Sequence, residues 1–122
     1  MPERPQDNRL PRAGRLPGAL YRGVFDHEKS FPGRYVVLCL GPDSGQPRPQ
    51  LGITTSRRTL PAAVARNRAR RLMREAFRTQ QHALRPGARI ILVARRRIAE
   101  DGGLENVSRD FRALCKRAGI WA

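Results

Sequence analysis

Apolar and polar positions divide the first half of this chain into one short helix and three strands. Between positions 20 and 25 the apolar residues recur at helical spacing, which predicts an amphipathic helix that ends before the next Pro-Gly pair. The apolar run "YVVLCL" (35–40) and the alternating stretch "QLGITTS" (50–56) predict two antiparallel strands joined by a long polar connection. The stretch "HEKSF" (27–31) predicts a short edge strand before them.

The second half of the chain predicts two amphipathic helices that flank one buried strand. The first helix begins just after Pro61, and its apolar side chains share one arc of about 140°. The members of this arc are Ala65, Ala69, Leu72, Met73, Ala76, Phe77 and Leu84. The continuous apolar run "IILVA" (90–94) is typical of a strand buried on both faces. The apolar face of the last helix consists of Val107, Phe111, Leu114, Cys115 and Ala118. Gly119 follows it and suits a helix C-cap.

The first residues differ in composition from everything that follows. Residues 1–18 are rich in proline and arginine and nearly lack apolar side chains, so they bury too little surface to offset the entropy lost on ordering. We therefore expect a flexible basic N-terminal arm over 1–18 and one domain over 19–122, since 122 residues suffice for one modest core. The chain has neither an apolar run of about 18 residues for a membrane span nor a secretory signal pattern, so we expect a cytoplasmic protein.

Arginine dominates the charge of the chain. Twenty-five Lys and Arg residues face ten Asp and Glu residues, which gives a net charge of +15. The long predicted helix concentrates this charge, because "AVARNRARRLMREAFR" (63–78) holds six arginines and one acid. Like charges four positions apart, as at Arg66, Arg70, Arg74 and Arg78, repel one another along a helix flank. Such unneutralised repulsion favours a surface shaped for a polyanion over an ordinary solvated face.

Charge alone does not separate DNA from RNA as the partner. Three aromatic residues near the basic elements, Tyr21, Phe25 and Tyr35, favour RNA because unpaired bases stack on aromatic side chains. Each of the three is alternatively a core residue. On the residues alone, two further classes stay open: a ribosomal or other structural RNA-binding protein, and a DNA-binding protein that inserts the arginine helix into the major groove.

The chain offers no constellation that breaks a phosphodiester bond. Metal-dependent cleavage requires converging carboxylates, whereas the only close groupings of acids here, 26–28 and 100–101, fall in predicted loops. Neither histidine has further ligands at a metal-binding spacing. We therefore predict no catalytic residue, no metal site and no cofactor in the protein itself. Cys39 and Cys115 lie in apolar patterns and are predicted to be buried free thiols.

The stretch "LGITTSRR" followed by "VARNRARRLMREAFR" resembles the conserved block of the bacterial ribonuclease P protein subunit. That block is an apolar strand ending in Gly-x-x-x-Ser/Ala-basic-basic, a short spacer, and Arg-Asn-Arg-x-basic-Arg-x-x-Arg-Glu-x-Phe-Arg. The flanking "LYRGVF", "ARIILVARR" and "DFRALCKRAG" resemble the family's first helix, last strand and last helix, so the similarity runs from about Leu20 to Gly119. The residues matching the block are Gly52, Ser56, Arg57, Arg58, Arg66, Asn67, Arg68, Arg70, Arg71, Arg74, Glu75, Phe77 and Arg78.

The resemblance implies a fold and a function. The fold is an α/β (α+β) sandwich of order αβββαβα, with a four-stranded mixed sheet like that of ribosomal protein S5 domain 2 and a left-handed βαβ crossover through the arginine helix. The family protein binds a large catalytic RNA and the 5′ leader of precursor tRNA, and it assists endonucleolytic removal of the leader. The resemblance further implies that the RNA is the catalyst, that Mg²⁺ belongs to the RNA active site, and that one protein binds each catalytic RNA.

The resemblance also assigns roles to two groups of residues. The residues expected to bind the catalytic RNA are Arg57, Arg58, Arg66, Asn67, Arg68, Arg70, Arg71, Arg74 and Arg78. The residues expected to line a cleft for the single-stranded leader are Tyr21, Phe25 and Tyr35. One departure from the family pattern is Glu28, where the family usually has glycine after its first helix.

Overall fold

The computed structural model describes residues 14–122, which form four helices and four strands. The helices are α1 (Tyr21–Asp26), α2 (Ala63–Gln80), α3 (Arg97–Asp101) and α4 (Leu104–Arg117). The strands are β1 (Lys29–Pro32), β2 (Val36–Leu40), β3 (Gln50–Thr54) and β4 (Arg89–Ala94). Short 3-10 turns precede α1 at Gly18–Leu20 and follow α2 at Gln81–Ala83.

The four strands form one mixed sheet in the order β1-β2-β4-β3. Strand β4 lies inside the sheet, antiparallel to β2 and parallel to β3. Strands β2 and β3 therefore run antiparallel as predicted, but they do not pair because β4 lies between them. The central position of β4 explains its uninterrupted apolar sequence, since Ile90, Ile91 and Leu92 are all fully buried.

The sheet separates two apolar clusters, and alternate residues of each central strand enter different clusters. Leu38 and Leu92 belong to the larger cluster, which α2 and α4 cover. Cys39 and Ile91 belong to the smaller cluster beneath α1. The two helices on the larger side also contact each other, because Phe77 of α2 meets the Phe111 ring edge to face with ring centroids 6.3 Å apart. The result is a sheet with α1 on one face and the α2–α4 pair on the other.

The predicted element order αβββαβα is confirmed, with α3 as one additional short helix directly after β4. Leu84 is buried with the predicted apolar arc, although it lies beyond the end of α2 and forms a bridge with Trp121. The predicted cap of α4 is also confirmed, because Gly119 has a φ of 75° and the Ile120 N–H donates to the carbonyl of Cys115 at 3.0 Å. Both cysteines are buried and free, as predicted.

A single carboxylate fastens α4 to the turn between β1 and β2. Asp110 accepts backbone N–H bonds from Arg34 at 3.0 Å, from Tyr35 at 2.8 Å and from Val36 at 3.3 Å. Gly33 permits this close approach, since a Cβ atom there would lie 2.6 Å from Oδ2 of Asp110. The turn that starts β2 is thus held by a residue from the far end of the chain.

The predicted boundary of the N-terminal arm at residue 18 needs correction. Arg15 forms a parallel bridge with Leu51 at the outer edge of β3, and the Leu16 N–H donates to the Leu51 carbonyl at 2.9 Å. Leu16 is buried in the smaller apolar cluster with Val24 of α1. A single leucine in a proline-rich and arginine-rich stretch thus suffices to attach the segment to the domain. Residues 1–13 of the predicted arm lie outside the described residues.

Candidate nucleic-acid interface

One side of α2 carries four arginines on successive turns, and we call Arg66, Arg70, Arg74 and Arg78 the arginine flank. They share this side because positions four apart lie one above the other on a helix. Arg70 donates to Oδ1 of Asn67 at 2.9 Å, which holds the two predicted site residues together. Within residues 14–122 no carboxylate forms an ion pair with Arg70 or Arg74. Among the described residues, these two guanidinium groups therefore have no carboxylate to neutralise them.

The two ends of the arginine flank are restrained by the protein itself. Arg66 donates to the carbonyl oxygens of Leu60 at 2.9 Å and Pro61 at 2.8 Å, which fixes the chain entering α2. Arg78 forms a two-fold ion pair with Glu75, and this hydrogen bonding lowers the pKa of the Glu75 carboxyl. The two end residues therefore have hydrogen-bond or ion-pair partners in the protein. Arg70 and Arg74, in the middle of the flank, have no carboxylate partner within residues 14–122.

The remaining cations of α2 differ in direction. Arg68 turns towards α3 and donates to the carbonyl oxygens of Ile98 at 3.3 Å and Gly102 at 2.6 Å. Arg71 is exposed. The sequence predicts that both Arg68 and Arg71 bind RNA. In the structure Arg68 also connects α2 to the segment after β4 through these hydrogen bonds.

Arg57 and Arg58 lie at the tip of a turn between β3 and α2. The Ser56 hydroxyl accepts the Thr59 N–H at 3.1 Å, and the Leu60 N–H donates to the Ser56 carbonyl at 2.9 Å. This local bonding closes the turn and leaves both arginine side chains exposed. Ser56 of the family block thus has a structural role, because its hydrogen bonds close the turn that exposes Arg57 and Arg58.

Arg74 lies in the middle of the arginine flank and is half-buried. Its guanidinium is partly buried, and this burial, together with the positive charges of Arg70 and Arg15, lowers the pKa of Arg74. The nearby Tyr21 acts on it in the opposite direction. Burial is the largest of these causes, so Arg74 differs from the exposed arginines of the turn before α2.

The predicted aromatic residues divide between the two faces of the sheet. Tyr21 packs against the smaller apolar cluster, and its hydroxyl oxygen accepts the Ile53 N–H at 3.0 Å. Phe25, one turn further along α1, is 42% exposed. Tyr35 is only 5% exposed and belongs to the larger cluster on the opposite face. The grouping of all three in one cleft is therefore wrong for Tyr35, because the turn bonded to Asp110 directs its side chain into the core.

Gly52, the glycine of the family block, lies directly beneath the Tyr21 ring. A Cβ atom at this position would lie 2.6 Å from Cζ of Tyr21 and 2.8 Å from its hydroxyl oxygen. Only glycine lets the ring approach β3 closely enough to accept the Ile53 N–H. Gly52 of the family block thus allows Tyr21 of α1 to pack closely against β3.

Gly52→Ala is expected to lower the free energy of unfolding by about 1 to 3 kcal/mol, because the new methyl group must displace the Tyr21 ring. The matched control is Gly23→Ala in α1, where a Cβ atom meets nothing within 4 Å and helix propensity improves. Urea unfolding followed by circular dichroism measures both. Equal stabilities for the two variants would show that Tyr21 does not depend on the glycine.

Further cations outside the predicted set lie at the same end of the sheet. Because β3 and β4 are parallel, the residues that follow them leave the same edge, so Arg95 and Arg96 emerge on the same side as Arg57 and Arg58. Arg95 donates to the Gly33 carbonyl at 2.8 Å. The run of arginines after β4 is visible in the sequence, but its proximity to the family block depends on the parallel pairing.

Two further properties limit the chemistry of the described residues. Between residues 14 and 122 no group of three or more His, Cys, Asp or Glu side chains is arranged to hold a metal ion. Among the helices of the same part of the chain, none is both long and apolar enough to cross a membrane.

The site as a whole presents guanidinium groups and aromatic rings, the side chains with which proteins hold single-stranded and structured RNA. Fold and site thus define a small basic α/β protein of the nucleic-acid-binding class.

The comparisons with known proteins identify the family. The Ribonuclease P family model matches residues 10–119. The ribonuclease P protein component of Pseudomonas paraeruginosa is 38% identical over 100 residues, covering 80% of this chain and 70% of that protein. The component of Clostridioides difficile is 31% identical, covering 82% of this chain and 86% of the relative. The chain therefore belongs to the ribonuclease P protein family.

Solved structures agree with this assignment. The RNase P protein of Thermotoga maritima superposes with a TM-score of 0.71 at 28% identity, covering 84% of this chain and 96% of that one. The RNase P protein of Staphylococcus aureus has the same fold, with a TM-score of 0.76 at 23% identity, covering 91% of this chain and all of that one. The predicted family and the predicted four-stranded mixed α+β fold are both confirmed.

Proposed function

We propose that this protein acts as the RNA-binding subunit of a ribonuclease P holoenzyme in which the RNA removes the 5′ leader of precursor tRNA. The observation that supports this most strongly is the family match over residues 10–119, combined with the exposed cations that the block presents.

The arginine flank and the turn at Arg57 and Arg58 bind the phosphates of the catalytic RNA in this proposal. Arginine suits the task because its planar guanidinium donates two parallel hydrogen bonds to one phosphate group. Arg70 and Arg74 lack a carboxylate partner within residues 14–122, so RNA phosphates replace a counter-charge that these residues do not provide. Asn67, Arg68 and Arg71 complete the surface.

The leader of the precursor lies on the α1 side of the sheet, against Tyr21 and Phe25. Phe25 is a large apolar side chain on the exposed side of α1, and an unpaired base can stack on its ring. The Tyr21 ring lies over Gly52 and forms the base of the proposed leader site next to Phe25. Tyr35 takes no part, because its ring is buried on the opposite face.

The proposal assigns the bond-breaking step to the RNA. Hydrolysis of a phosphodiester bond with metal ions needs ligands that position them, and in this proposal the RNA supplies those for Mg²⁺. The cations of the protein lower the repulsion between two polyanions, the catalytic RNA and its substrate, and so reduce the Mg²⁺ needed for productive binding. One protein for each catalytic RNA and a cytoplasmic location are further parts of the proposal.

Phe25→Ala is expected to weaken binding of precursor tRNA to the holoenzyme by about 5- to 150-fold and to leave binding of mature tRNA unchanged. Loss of one base–aromatic stack costs about 1 to 3 kcal/mol, and only the precursor carries the leader. Equilibrium binding of the two tRNAs measures the difference. Val64→Ala, which truncates an 80% exposed apolar residue on α2, serves as the control. An equal loss for both tRNAs would remove Phe25 from the leader site.

A turnover measurement separates this function from that of a structural RNA-binding protein. Only a ribonuclease P subunit increases the rate at which ribonuclease P RNA cleaves precursor tRNA at low Mg²⁺. A structural RNA-binding protein binds the RNA tightly and leaves this rate unchanged.

A further inference from the structure

The leader site proposed above depends on the position of α1, a helix of only six residues. Isolated helices shorter than about 12 to 15 residues are marginal in water, so a helix of this length relies on its contacts with the rest of the protein. Helix α1 contacts β2 and β4 across the smaller apolar cluster. The contacts that hold α1 on the sheet therefore also determine where Tyr21 and Phe25 lie.

Two glycines let α1 lie close to the sheet. Val24, the buried residue of α1, packs against Gly41 directly after β2, where a Cβ atom would lie 2.8 Å from Cγ2 of Val24. Gly52 of β3 accommodates the Tyr21 ring in the same way. Because both contacts are this close, a displacement of the helix from the sheet breaks both of them.

Leu16 attaches the chain before α1 to the same face of the sheet. Its N–H donates to the Leu51 carbonyl at 2.9 Å, and its side chain is buried in one cluster with Val24. Pro17 and the 3-10 turn Gly18–Leu20 are all that lies between Leu16 and the first residue of α1. An anchor so near to the helix restricts the positions that α1 can take.

The smaller apolar cluster is thin on the side of α1. Its buried side chains within residues 14–122 are Leu16 and Val24 above the sheet and Cys39 and Ile91 in the sheet. The larger cluster under α2 and α4 contains many more buried residues. Regions with few buried apolar contacts open at a lower free energy than the whole domain. We therefore expect the segment from Leu16 to the end of α1 to open locally while the rest of the domain stays folded.

We propose that Leu16 is a positioning residue for the leader of precursor tRNA, because it holds α1 on the sheet in the arrangement of Tyr21 and Phe25 that binds an unpaired base. The inference rests on the proposed function and adds to it a residue that acts through α1. When α1 leaves the sheet, Tyr21 loses its place over Gly52 and the site is dispersed. Leader binding and α1 docking therefore stabilise each other, and mature tRNA, which has no leader, does not take part in this coupling.

The two buried thiols make the local opening measurable. Cys39 belongs to the smaller cluster with Leu16, whereas Cys115 belongs to the larger cluster. Burial raises the pKa of both thiols, that of Cys115 to about 12, so each reacts with iodoacetamide chiefly when its own cluster opens. Peptide mass spectrometry of the alkylated protein gives the two rates separately. In the wild-type protein Cys39 is expected to react faster than Cys115.

Leu16→Ala is expected to raise the alkylation rate of Cys39 in the free protein by at least about tenfold, because the truncation destabilises the docked state of α1. Leu16→Met nearly conserves the volume of the side chain and should restore most of the wild-type rate. The matched control is Leu114→Ala, which removes the same atoms from the larger cluster. It should raise the rate of Cys115 and leave that of Cys39 within about threefold, because the open and docked states of α1 lose the same contacts.

The functional test uses the holoenzyme with precursor and mature tRNA. Precursor tRNA at about ten times its Kd should slow alkylation of Cys39 about tenfold, and mature tRNA should leave the rate unchanged. Leu16→Ala should weaken binding of precursor tRNA at least about threefold, since the docked fraction falls, and leave binding of mature tRNA unchanged. Leu16→Met should restore the affinity. A merely structural role of Leu16 would affect the two tRNAs equally.

Two results would overturn the inference: an unchanged alkylation rate of Cys39 in Leu16→Ala, or equal losses of affinity for precursor and mature tRNA. Either result leaves the proposed function intact as long as the wild-type protein stimulates cleavage by ribonuclease P RNA. Failure of the wild-type protein to stimulate it would instead contradict the proposed function, whereas the alkylation rates in the free protein do not depend on that outcome.

Discussion

Replacing Arg70 and Arg74 together with alanine is expected to weaken binding of ribonuclease P RNA about a hundredfold at about 100 mM salt. Each lost phosphate contact releases about one counterion fewer, so the salt slope of binding should fall by about 2. The effect should be large because, within residues 14–122, neither guanidinium has a carboxylate partner that competes with RNA. Filter binding or fluorescence anisotropy between about 50 and 200 mM salt measures both quantities.

The stability of the same variant distinguishes a binding role from a structural one. Arg70 and Arg74 repel each other at positions four apart, so their removal should leave the free energy of unfolding unchanged or raise it by a few tenths of a kcal/mol. Arg109→Ala/Arg112→Ala on α4 removes the same charge elsewhere and should leave RNA affinity within about threefold of wild type. An unchanged salt slope for the α2 variant, or a large loss of stability, would contradict a phosphate-binding role.

Asp110→Ala is expected to lower the free energy of unfolding by about 2 to 4 kcal/mol. The substitution removes the acceptor of three backbone N–H groups at the start of β2, and hydrogen bonds to a charged group are worth about 1.5 to 3 kcal/mol each, without being additive. Asp110→Asn keeps one acceptor oxygen and should lose about half as much. Urea unfolding at neutral pH provides the measurement.

A second acid on α4 supplies the control for Asp110. Glu105 pairs with Arg109 at 3.0 Å on the exposed side of the helix, and Glu105→Ala should cost less than about 1 kcal/mol because exposed ion pairs contribute little. If Asp110→Ala and Glu105→Ala had similar stabilities, the N–H groups of residues 34–36 would not depend on the carboxylate. The turn before β2 would then be held by its apolar contacts alone.

Local periodicity was sufficient to predict most of the elements, because the burial of a helix face or a strand depends on residue spacing. The apolar run of β4, the stripe of α2 and the cap at Gly119 were all predicted and are all present. The family block likewise assigned Arg57, Arg58 and the arginine flank to RNA binding, and the structure leaves Arg57, Arg58 and Arg78 exposed and the other three flank arginines half-buried. The roles of these residues in RNA binding stay predictions.

Contacts between distant segments account for what the sequence did not predict. Tyr35 adjoins an apolar strand and is the same residue type as Tyr21, but the Asp110 carboxylate accepts its backbone N–H and its ring lies in the core. Arg68 belongs to the arginine-rich stretch, yet it bonds to carbonyl groups after β4. Composition alone predicts a flexible arm that includes Arg15, because the pairing of Arg15 with Leu51 cannot be inferred from neighbouring residues.

The most direct test of the proposed function is a time course of precursor tRNA cleavage by bacterial ribonuclease P RNA at low Mg²⁺. The reaction is run with RNA alone, with this protein alone and with both. We predict 5′ maturation only when both are present, with recovery of RNA-alone activity at high Mg²⁺. Tight binding to the RNA without any stimulation of cleavage would contradict the account, and so would cleavage by the protein alone.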